Sequence, residues 1–407
     1  MRTEIHPRFA NQPSLDRAEA IVRSCVHCGF CTAVCPTYQL LGDEADSPRG
    51  RIVLINDLLE TGRVTEVHET HLDRCLTCRS CETHCPSGVA YTDLLDIAKG
   101  LMLEQPARSK PAILGRDVLL RLLKWQPLMR VGFGLLRRLP TVVRRRFNLP
   151  VIRTSARGSG KVGTLPIERE VILLGGCIQS AATPEVNEAA AALLEVAGIG
   201  VNSIKREACC GALAYHLGRH DEGRADMRRL IRQIEQAGDT RQPIVSTASG
   251  CGISLKSLPK HFEADDPDFT RATAIAARVV DVSELLIGEN IAVAPSRVAF
   301  HRPCTLKHGQ GLGDELAAWL TQCGLTLIPL VNPPGCCGSA GTYSLLQSEM
   351  ANSLRERMMT SLTEHAPDVI VTANIGCQLH LSSGTEIPVM HWLELVWQQY
   401  QLGLSRG

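Results

Sequence analysis

Eight cysteines fall into two runs of identical spacing, and these runs limit the folds open to the chain more than any other feature. Each run reads Cys-x-x-Cys-x-x-Cys-x-x-x-Cys-Pro. Three thiolates at this spacing can hold one face of an iron–sulfur cluster, while the fourth ligates the other cluster of a two-cluster unit. The runs therefore predict two [4Fe-4S] clusters with exchanged fourth ligands: Cys25, Cys28, Cys31 and Cys85 for cluster 1, and Cys75, Cys78, Cys81 and Cys35 for cluster 2.

Zinc and disulfide bonds explain this pattern less well. A zinc site uses two Cys-x-x-Cys pairs and needs neither a third evenly spaced cysteine nor a trailing Cys-Pro. The total of 17 cysteines is odd, and a chain of 407 residues does not need disulfides to stabilise a core. Both alternatives are disfavoured.

The composition is that of a globular protein with two or three domains. A formal charge of +1 and 4% aromatic residues disfavour nucleic acid as a partner. No apolar stretch reaches the length of a transmembrane helix, and the amino terminus is polar where a secretory signal would be apolar. We expect a cytoplasmic chain with reduced cysteines.

The first predicted domain, residues 1–105, is mostly α-helical. One helix is expected before Cys25 and another after Cys85. Between the runs, an apolar stripe from Ile52 to Leu59 ends at Gly62, as a helix would. A long helical insert does not fit a compact β ferredoxin, so we expect a helical ferredoxin-like domain with two clusters.

Residues 106–167 are predicted to form a basic amphipathic linker. Eleven basic residues lie between Arg108 and Arg146 against one acid, Asp117, and leucines are interspersed among them. Such a segment suits either the surface of an anionic membrane or packing against a partner or the rest of the chain.

Prolines and glycines divide this linker. Pro127 and Pro140 break the basic stretch into short helices. The closing sequence ARGSGKVGT indicates a flexible connection. Residues 158–161 lack the rest of a phosphate-binding loop, so we assign no nucleotide site there.

From about residue 168 the chain repeats itself. Four cysteines return 126 or 127 residues later: Cys177, Cys209, Cys210 and Cys251 correspond to Cys304, Cys336, Cys337 and Cys377. In each copy strand-like segments alternate with helices, and the cysteines follow strand ends, where open α/β sheets place their sites. We expect two tandem α/β units, at residues 168–290 and 291–407, and an α+β multidomain fold overall.

The repeat cysteines have three interpretations. Four thiols at neighbouring strand ends could ligate a further cluster, form a dithiol redox site, or pack in the core. Their presence in both copies disfavours simple packing. Five histidines near the cysteines are interpreted as neighbours of the sites rather than ligands: His27, His84, His301, His308 and His380.

Both copies resemble the cysteine-rich CCG domains of the heterodisulfide reductase B-subunit family, through their Cys-Cys-Gly segments. That family's fuller pattern closes with Cys-x-x-Cys and can hold an unusual iron–sulfur cluster. Here Ala248 and Asn374 replace the first cysteine of the closing pair. The resemblance therefore implies either a four-cysteine cluster in each unit or a fold that has lost it. Cys323 lies outside the pattern and is expected to be structural.

Over essentially its whole length the chain resembles the iron–sulfur subunits of glycolate oxidases. The segments that carry the resemblance are SCVHCGFCTAVCPTYQLLGDEADSPRGR, DRCLTCRSCETHCPSGVAY, CCGSAGTY and VTANIGCQLH. Subunits of anaerobic glycerol-3-phosphate dehydrogenase and of lactate-utilisation complexes share this layout. The resemblance implies FAD-binding partner subunits that oxidise glycolate to glyoxylate, or D-lactate to pyruvate. It also implies a quinone or another electron acceptor, and a location in the cytoplasm or on the cytoplasmic face of the inner membrane.

We therefore expect an electron-transfer subunit of an oxidoreductase complex, without a substrate site of its own. No Gly-x-Gly-x-x-Gly motif opens a helix after a strand, so no flavin is expected on this chain. Two other functions stay open. The chain could be a thiol or heterodisulfide-type reductase acting at its Cys-Cys-Gly sites, which would reduce a disulfide by itself. It could also be an assembly scaffold with vestigial metal sites.

Overall fold

The computed structural model describes residues 3–9, 13–152, 167, 169–204 and 206–405. The glycine-rich connection and residues 158–161 lie outside this part of the chain. The α-helices, in chain order, are α1 Pro13–Ser24, α2 Phe30–Ala33, α3 Pro36–Leu41, α4 Pro48–Thr61, α5 Glu66–Asp73, α6 Ser80–Thr83, α7 Tyr91–Glu104, α8 Lys110–Lys124, α9 Gln126–Arg138, α10 Thr141–Arg146, α11 Gln179–Ala182, α12 Pro184–Val196, α13 Ala212–Tyr215, α14 His220–Ala237, α15 Ser249–Lys256, α16 Pro267–Ala276, α17 Val282–Leu286, α18 Cys304–Lys307, α19 Gly313–Gln322, α20 Tyr343–Leu346, α21 Ser348–Thr363, α22 Ile375–Ser382 and α23 Trp392–Leu404. The strands are β1 Arg169–Leu174, β2 Ile199–Ser203, β3 Ile244–Ser246, β4 Val279–Asp281, β5 Arg297–Phe300, β6 Thr326–Leu327, β7 Val369–Thr372 and β8 Val389–His391. Short 3-10 helices occupy Pro7–Phe9, Glu44–Asp46 and Leu258–His261.

The chain divides into two compact units, each built from three stretches. Unit 1 contains Met1–Arg121, Gly211–Ala225 and Pro334–Leu354, and unit 2 contains Leu122–Cys210, Asp226–Pro333 and Arg355–Gly407. Each repeat therefore contributes one short segment to the unit that carries the two cysteine runs.

Unit 1 is helical and carries its own apolar core. Helices α1, α4 and α7 supply most of the buried side chains, including Leu15, Ile55 and Leu94. Helix α4 begins at the N-cap Ser47, whose hydroxyl accepts a hydrogen bond from the Gly50 amide at 3.0 Å. It ends at Gly62, which adopts the left-handed conformation of a C-cap, as the sequence predicts.

Unit 2 contains two four-stranded parallel sheets of the same topology. Their strand orders are β2-β1-β3-β4 and β6-β5-β7-β8, so each repeat builds one sheet. The central strands β1, β3, β5 and β7 are apolar because helices cover both faces of a parallel sheet. The α+β multidomain fold expected from the sequence is confirmed. Strands β4 and β8, three residues each, are not expected from the sequence pattern.

A single apolar core joins the two sheets of unit 2. The rings of Trp319 and Trp392 meet edge to face at its centre, with centroids 5.9 Å apart. Cys323 lies in this core, where burial raises the pKa of its thiol to about 12. This cysteine therefore packs as a small apolar residue.

The basic segment forms three short helices, α8, α9 and α10. Pro127 lies in the first turn of α9 and Pro140 directly precedes α10, so the breaks fall where the prolines predict them. Within the part of the chain that the structure describes, no helix has both the length and the apolarity to cross a membrane.

Candidate iron–sulfur site and the repeat cysteines

The two cysteine runs of unit 1 share one loop conformation. In the first run His27 and Gly29 have positive φ angles of 57° and 86°, and in the second Thr77 and Arg79 have 50° and 60°. These residues occupy equivalent positions, one before and one after the second cysteine of each run. Paired left-handed residues turn the chain sharply, which lets three thiols three residues apart face the same point.

One pocket is lined by all four cysteines assigned to cluster 1. These are three cysteines of the first run and Cys85 of the second, and Cys81, which is assigned to cluster 2, also lines this pocket. Burial raises the pKa of the Cys31 thiol, and the neighbouring Cys25 and Cys28 raise it further. Cys28 itself is exposed, so this pocket lies at the surface of unit 1.

The sulfurs assigned to cluster 2 also gather across the two runs. Burial raises the pKa of Cys81 well above its ordinary value, with further contributions from Cys78, Cys75 and Cys35. Cys35 therefore lies with the second run although it closes the first. Tyr91 is buried beside Cys75, and burial followed by this thiol raises the pKa of its phenol.

A buried ion pair lies next to Cys35. Arg51 and Asp46 are 1% and 0% exposed, and their side chains are 3.1 Å apart. The Arg51 Nη1 atom lies 4.0 Å from the Cys35 sulfur, and its Nη2 donates to the Thr37 hydroxyl at 3.0 Å. Arg74 also pairs with Asp46, at 2.9 Å. A permanent positive charge thus faces the second group of sulfurs from inside unit 1.

The Cys-Cys-Gly segment of the second repeat lies in the same unit. Burial raises the pKa of Tyr343, and the neighbouring thiols of Cys75 and Cys336 contribute to the same direction. A side chain at Gly335 would meet Pro36 at 3.4 Å. Pro334–Leu354 therefore packs beside both cysteine runs, an association between distant segments that local sequence patterns do not signal.

The donor set suits iron–sulfur clusters. None of the 17 cysteines, all of which are described, forms a disulfide. Backbone amides point at the sulfurs, with Thr77 N 3.5 Å from the Cys75 sulfur and Val89 N 3.5 Å from the Cys85 sulfur. Convergent thiols with amide donors are the environment in which such clusters are held and tuned.

In unit 2 the four cysteines of the first repeat come together after strands β1 and β3 and before α13. The Cys209 thiol, followed by burial, raises the pKa of Cys177 well above its ordinary value. For Cys210 the hydrogen bond with Cys209 lowers the pKa, but the Cys251 thiol and burial outweigh it, so that this pKa is also raised well above the ordinary value. The predicted convergence of these thiols is present.

A carboxyl group accompanies these thiols. Glu207 accepts hydrogen bonds from the amides of Gly175 and Gly176, at 2.7 and 2.6 Å. Burial raises its pKa to about 7. Sequence reasoning misses this residue because the second repeat has a proline, Pro334, at the equivalent position.

The second repeat is arranged differently. Cys304 and Cys377 belong to unit 2, whereas Cys336 and Cys337 belong to unit 1. Asn374, which stands where the related pattern has a cysteine, caps helix α22 by accepting from the Gly376 amide at 2.9 Å.

The missing cysteines are thus replaced by structural residues. The Asn374 side chain also donates to Ser249 at 3.3 Å and to Thr305 at 3.4 Å, which ties the two repeats together within unit 2. Ala248, its counterpart, is buried and is the N-cap of α15. Neither position offers a metal ligand.

The histidines near the cysteines differ in environment. The His84 Nδ1 lies 2.8 Å from the Ser80 carbonyl oxygen, and His27 occupies a loop of the first run. His301 is buried, its Nδ1 lies 3.0 Å from the Thr372 hydroxyl, and burial lowers its pKa to about 4. His308 is the C-cap of α18 and His380 lies in the last turn of α22.

Two kinds of known domain match the chain. Residues 21–89 match the 4Fe-4S dicluster domain, and residues 171–256 and 298–382 each match the cysteine-rich domain. The first match spans both cysteine runs, and the other two span the repeats.

Two of the similar proteins match the chain over more than nine tenths of its length, and a third matches just over half of it. The glycolate oxidase iron-sulfur subunit of Escherichia coli (strain K12) is 40% identical, over 98% of this chain and 99% of the relative. The probable glycolate oxidase iron-sulfur subunit of Bacillus subtilis (strain 168) is 30% identical, over 91% of this chain and 90% of the relative. Lactate utilization protein A of an Exiguobacterium species is 28% identical over 56% of this chain and 96% of that protein.

Proposed function

Since the chain belongs to the family of glycolate oxidase iron–sulfur subunits, we propose that it carries electrons inside an oxidoreductase complex that oxidises glycolate. The observation that supports this role best is the convergence of thiols from both cysteine runs: Cys85 lines one pocket with the first run, and Cys35 is a neighbour of Cys81 in the second. When bound, a [4Fe-4S] cluster accepts and releases one electron at a time.

In this proposal the residues of unit 1 hold two clusters and set their surroundings. Cys25, Cys28, Cys31 and Cys85 would hold cluster 1, and Cys75, Cys78, Cys81 and Cys35 would hold cluster 2. Because Cys28 is exposed, these residues would hold cluster 1 near the surface of unit 1, where a redox partner could approach it. Arg51 places a buried positive charge beside cluster 2, which favours the reduced form.

The partners follow from the same proposal. FAD-binding subunits would oxidise glycolate to glyoxylate, or D-lactate to pyruvate, and the chain would carry the electrons toward a quinone or another acceptor. The chain would act in the cytoplasm or at the cytoplasmic face of the inner membrane. We propose neither a substrate site nor a flavin site on this chain.

Anaerobic reduction by substrate tests this function. The chain is purified with its co-expressed partner subunits, and iron, sulfide and flavin are measured for each chain. Glycolate should bleach the cluster absorbance in the complex but not in the isolated chain. Bleaching of the isolated chain by glycolate, or an iron-free chain in an active complex, would refute the carrier role.

A second candidate concerns the four thiols of the first repeat. Their convergence supports either a further iron–sulfur cluster or a dithiol site that reduces a disulfide substrate. Both functions, cluster binding and thiol exchange, require thiolates, so they are separated by experiment. If these thiols hold a further cluster, a Cys210→Ser variant should contain less iron, by the amount of one cluster. Direct reduction of a disulfide by the isolated chain supports exchange.

A further inference from the structure

Helices α9 and α10 of unit 2, with the residues that flank them, leave many apolar side chains exposed to solvent. Eight of these side chains are large, and we call them the α9–α10 face: Trp125, Leu128, Val131, Leu135, Leu139, Val142, Val143 and Phe147. Val131 and Val142 are 61% and 79% exposed, far more than a globular surface needs at residues of this type. Patches of this kind mark binding sites.

The opposite side of α9 is anchored to unit 2. Phe133 and Leu136 pack against a small buried cluster that includes Ala182 and Ile375. Arg137 forms a bidentate salt bridge with Glu185, in which two guanidinium nitrogens each donate to one carboxylate oxygen at 2.8 Å. Because this inner side is fixed, the exposed side cannot turn inward to bury its apolar residues.

The charged residues of the segment that carries the α9–α10 face all have one sign. Arg130, Arg138 and Arg146 are exposed along it, and residues 126–150 contain no acid. Leu128, Val131 and Leu135 recur at helical spacing between these arginines. Exposed aromatic residues, Trp125 and Phe147, lie at the two ends.

We propose that the α9–α10 face binds the surface of an anionic lipid bilayer, with both helices lying in the plane of the interface. Apolar side chains would enter the boundary between headgroups and acyl chains, while the arginines would contact lipid phosphates. A protein partner would need acidic residues opposite every arginine and a matching apolar surface, whereas an anionic bilayer supplies both over any area. The proposal does not depend on electron transfer by the chain.

Vesicle binding by the full chain with its clusters tests the proposal. Co-sedimentation is compared for vesicles rich in phosphatidylglycerol and for pure phosphatidylcholine, at low and at high salt. The chain should bind the anionic vesicles far better, and salt should weaken the binding. The Arg130→Gln/Arg138→Gln pair should lose roughly 25-fold in affinity, since each of the two cations contributes about fivefold near an anionic leaflet.

Matched variants separate lipid binding from general damage. Val131→Asp/Leu135→Asp should abolish binding, whereas Leu402→Asp/Leu404→Asp, on exposed positions of α23, should not change it. Arg232→Gln/Arg241→Gln is the corresponding charge control. Cluster absorbance and circular dichroism report whether each variant folds.

Three results would overturn the proposal. The first is absence of binding to anionic vesicles, and the second is equal binding by the Val131→Asp/Leu135→Asp variant. The third is loss of the FAD-binding partners from that variant while vesicle binding persists, which would make the face a protein interface.

Discussion

Cys35 and Cys85 each close one cysteine run but lie with the sulfurs of the other. Cys85 lines the pocket of the first run, and Cys35 is a neighbour of Cys81. The spacing alone predicts this exchange, because a fourth cysteine before proline points away from its own triplet.

Comparison of serine variants tests the exchange. Cys85→Ser should perturb the same paramagnetic signal as Cys28→Ser, and Cys35→Ser the same signal as Cys78→Ser, because each pair would ligate one cluster. Electron paramagnetic resonance of the reduced protein and the iron content provide the measurement. Cys323→Ser is the control, since this buried cysteine lies in the core of unit 2. The assignment is wrong if Cys35→Ser matches Cys28→Ser instead.

Arg51 provides a second test at the scale of one side chain. Arg51→Met should lower the midpoint potential of the cluster beside Cys35, because loss of a buried positive charge disfavours the added electron. Arg74 still pairs with Asp46 in this variant, so the carboxylate keeps a cationic partner. A redox titration followed by paramagnetic resonance measures both clusters, and the cluster of Cys28 serves as the internal reference. Arg51→Lys should restore most of the potential. Equal shifts in both clusters would indicate a general structural effect.

His391 makes the stability of unit 2 depend on pH. Burial lowers its pKa to about 3, and its Nδ1 accepts from the Leu393 amide at 3.3 Å. In the unfolded chain the His391 imidazole has a pKa of about 6.5. The stabilisation by neutral His391 is therefore complete above pH 6.5 and is lost as the pH falls toward the pKa of the folded protein.

The substitution His391→Asn should reduce this loss, because asparagine can still cap α23 but does not titrate. We expect a smaller difference between urea midpoints at about pH 7.5 and about pH 5, where one such group changes stability by up to about 1.4 kcal/mol per pH unit. Fluorescence of the buried Trp319 and Trp392 reports the transition. His365→Asn, at an exposed position, should leave the difference unchanged.

Among the elements, helix α4 depends on close backbone packing. A side chain at Gly50 would lie 1.9 Å from the Glu44 carbonyl oxygen and 3.1 Å from the Ala45 Cα atom, both parts of the adjoining 3-10 helix. Backbone cannot move aside as a flexible side chain can. The glycine is required by this approach of two elements.

Gly50→Ala should therefore lower the thermal midpoint of the cluster-loaded chain, at a cost of about 1–3 kcal/mol. Gly115→Ala in α8 is the matched control, because no atom lies within 4 Å of the added carbon. This control should be neutral or gain about 0.5–1 kcal/mol from helix propensity. Far-ultraviolet circular dichroism follows both transitions, and equal midpoints for the two variants would contradict the packing argument.

Elements with a clear local signal were predictable from the sequence. The apolar stripe and Gly62 predict α4, and Pro127 and Pro140 predict the breaks on either side of α9. Strands β4 and β8 were not predicted, because each is followed at once by a helix, α17 or α23, so that no break in the sequence pattern separates strand from helix. Their pairing with β3 and β7 comes from the sheet and not from local preference.

At the scale of the whole molecule, distant segments combine. Gly211–Ala225 and Pro334–Leu354 join the helices of unit 1, although they come from the two repeats. No local pattern reports such packing, and the boundaries proposed from the sequence, at residues 105, 167 and 290, stay a prediction. The similar proteins confirm membership of the glycolate oxidase iron–sulfur subunit family. The sequence could predict this family because its motifs are local.

Removal of iron should destabilise unit 1 and leave unit 2 folded. Chelation of the clusters should abolish hydrogen-exchange protection in the elements of unit 1, because thiols without metal no longer hold its loops. These elements are α4, α7, Gly211–Ala225 and Pro334–Leu354. Strands β1, β3, β5 and β7 should stay protected by the core of unit 2. Mass spectrometry of exchanged peptides provides the measurement. Protection that persists in Gly211–Ala225 after iron loss would show that this segment is stabilised without the clusters.

Because Pro334–Leu354 belongs to unit 1, this unit cannot be complete until most of the chain has been synthesised. About 230 residues separate Arg121 from Leu354, so a ribosome adding roughly 5–20 residues per second works for roughly 10–50 seconds between the first and last stretches of unit 1. During that interval both cysteine runs have been synthesised and the last stretch of unit 1 has not. Iron–sulfur assembly machinery therefore has time to deliver metal before unit 1 is complete.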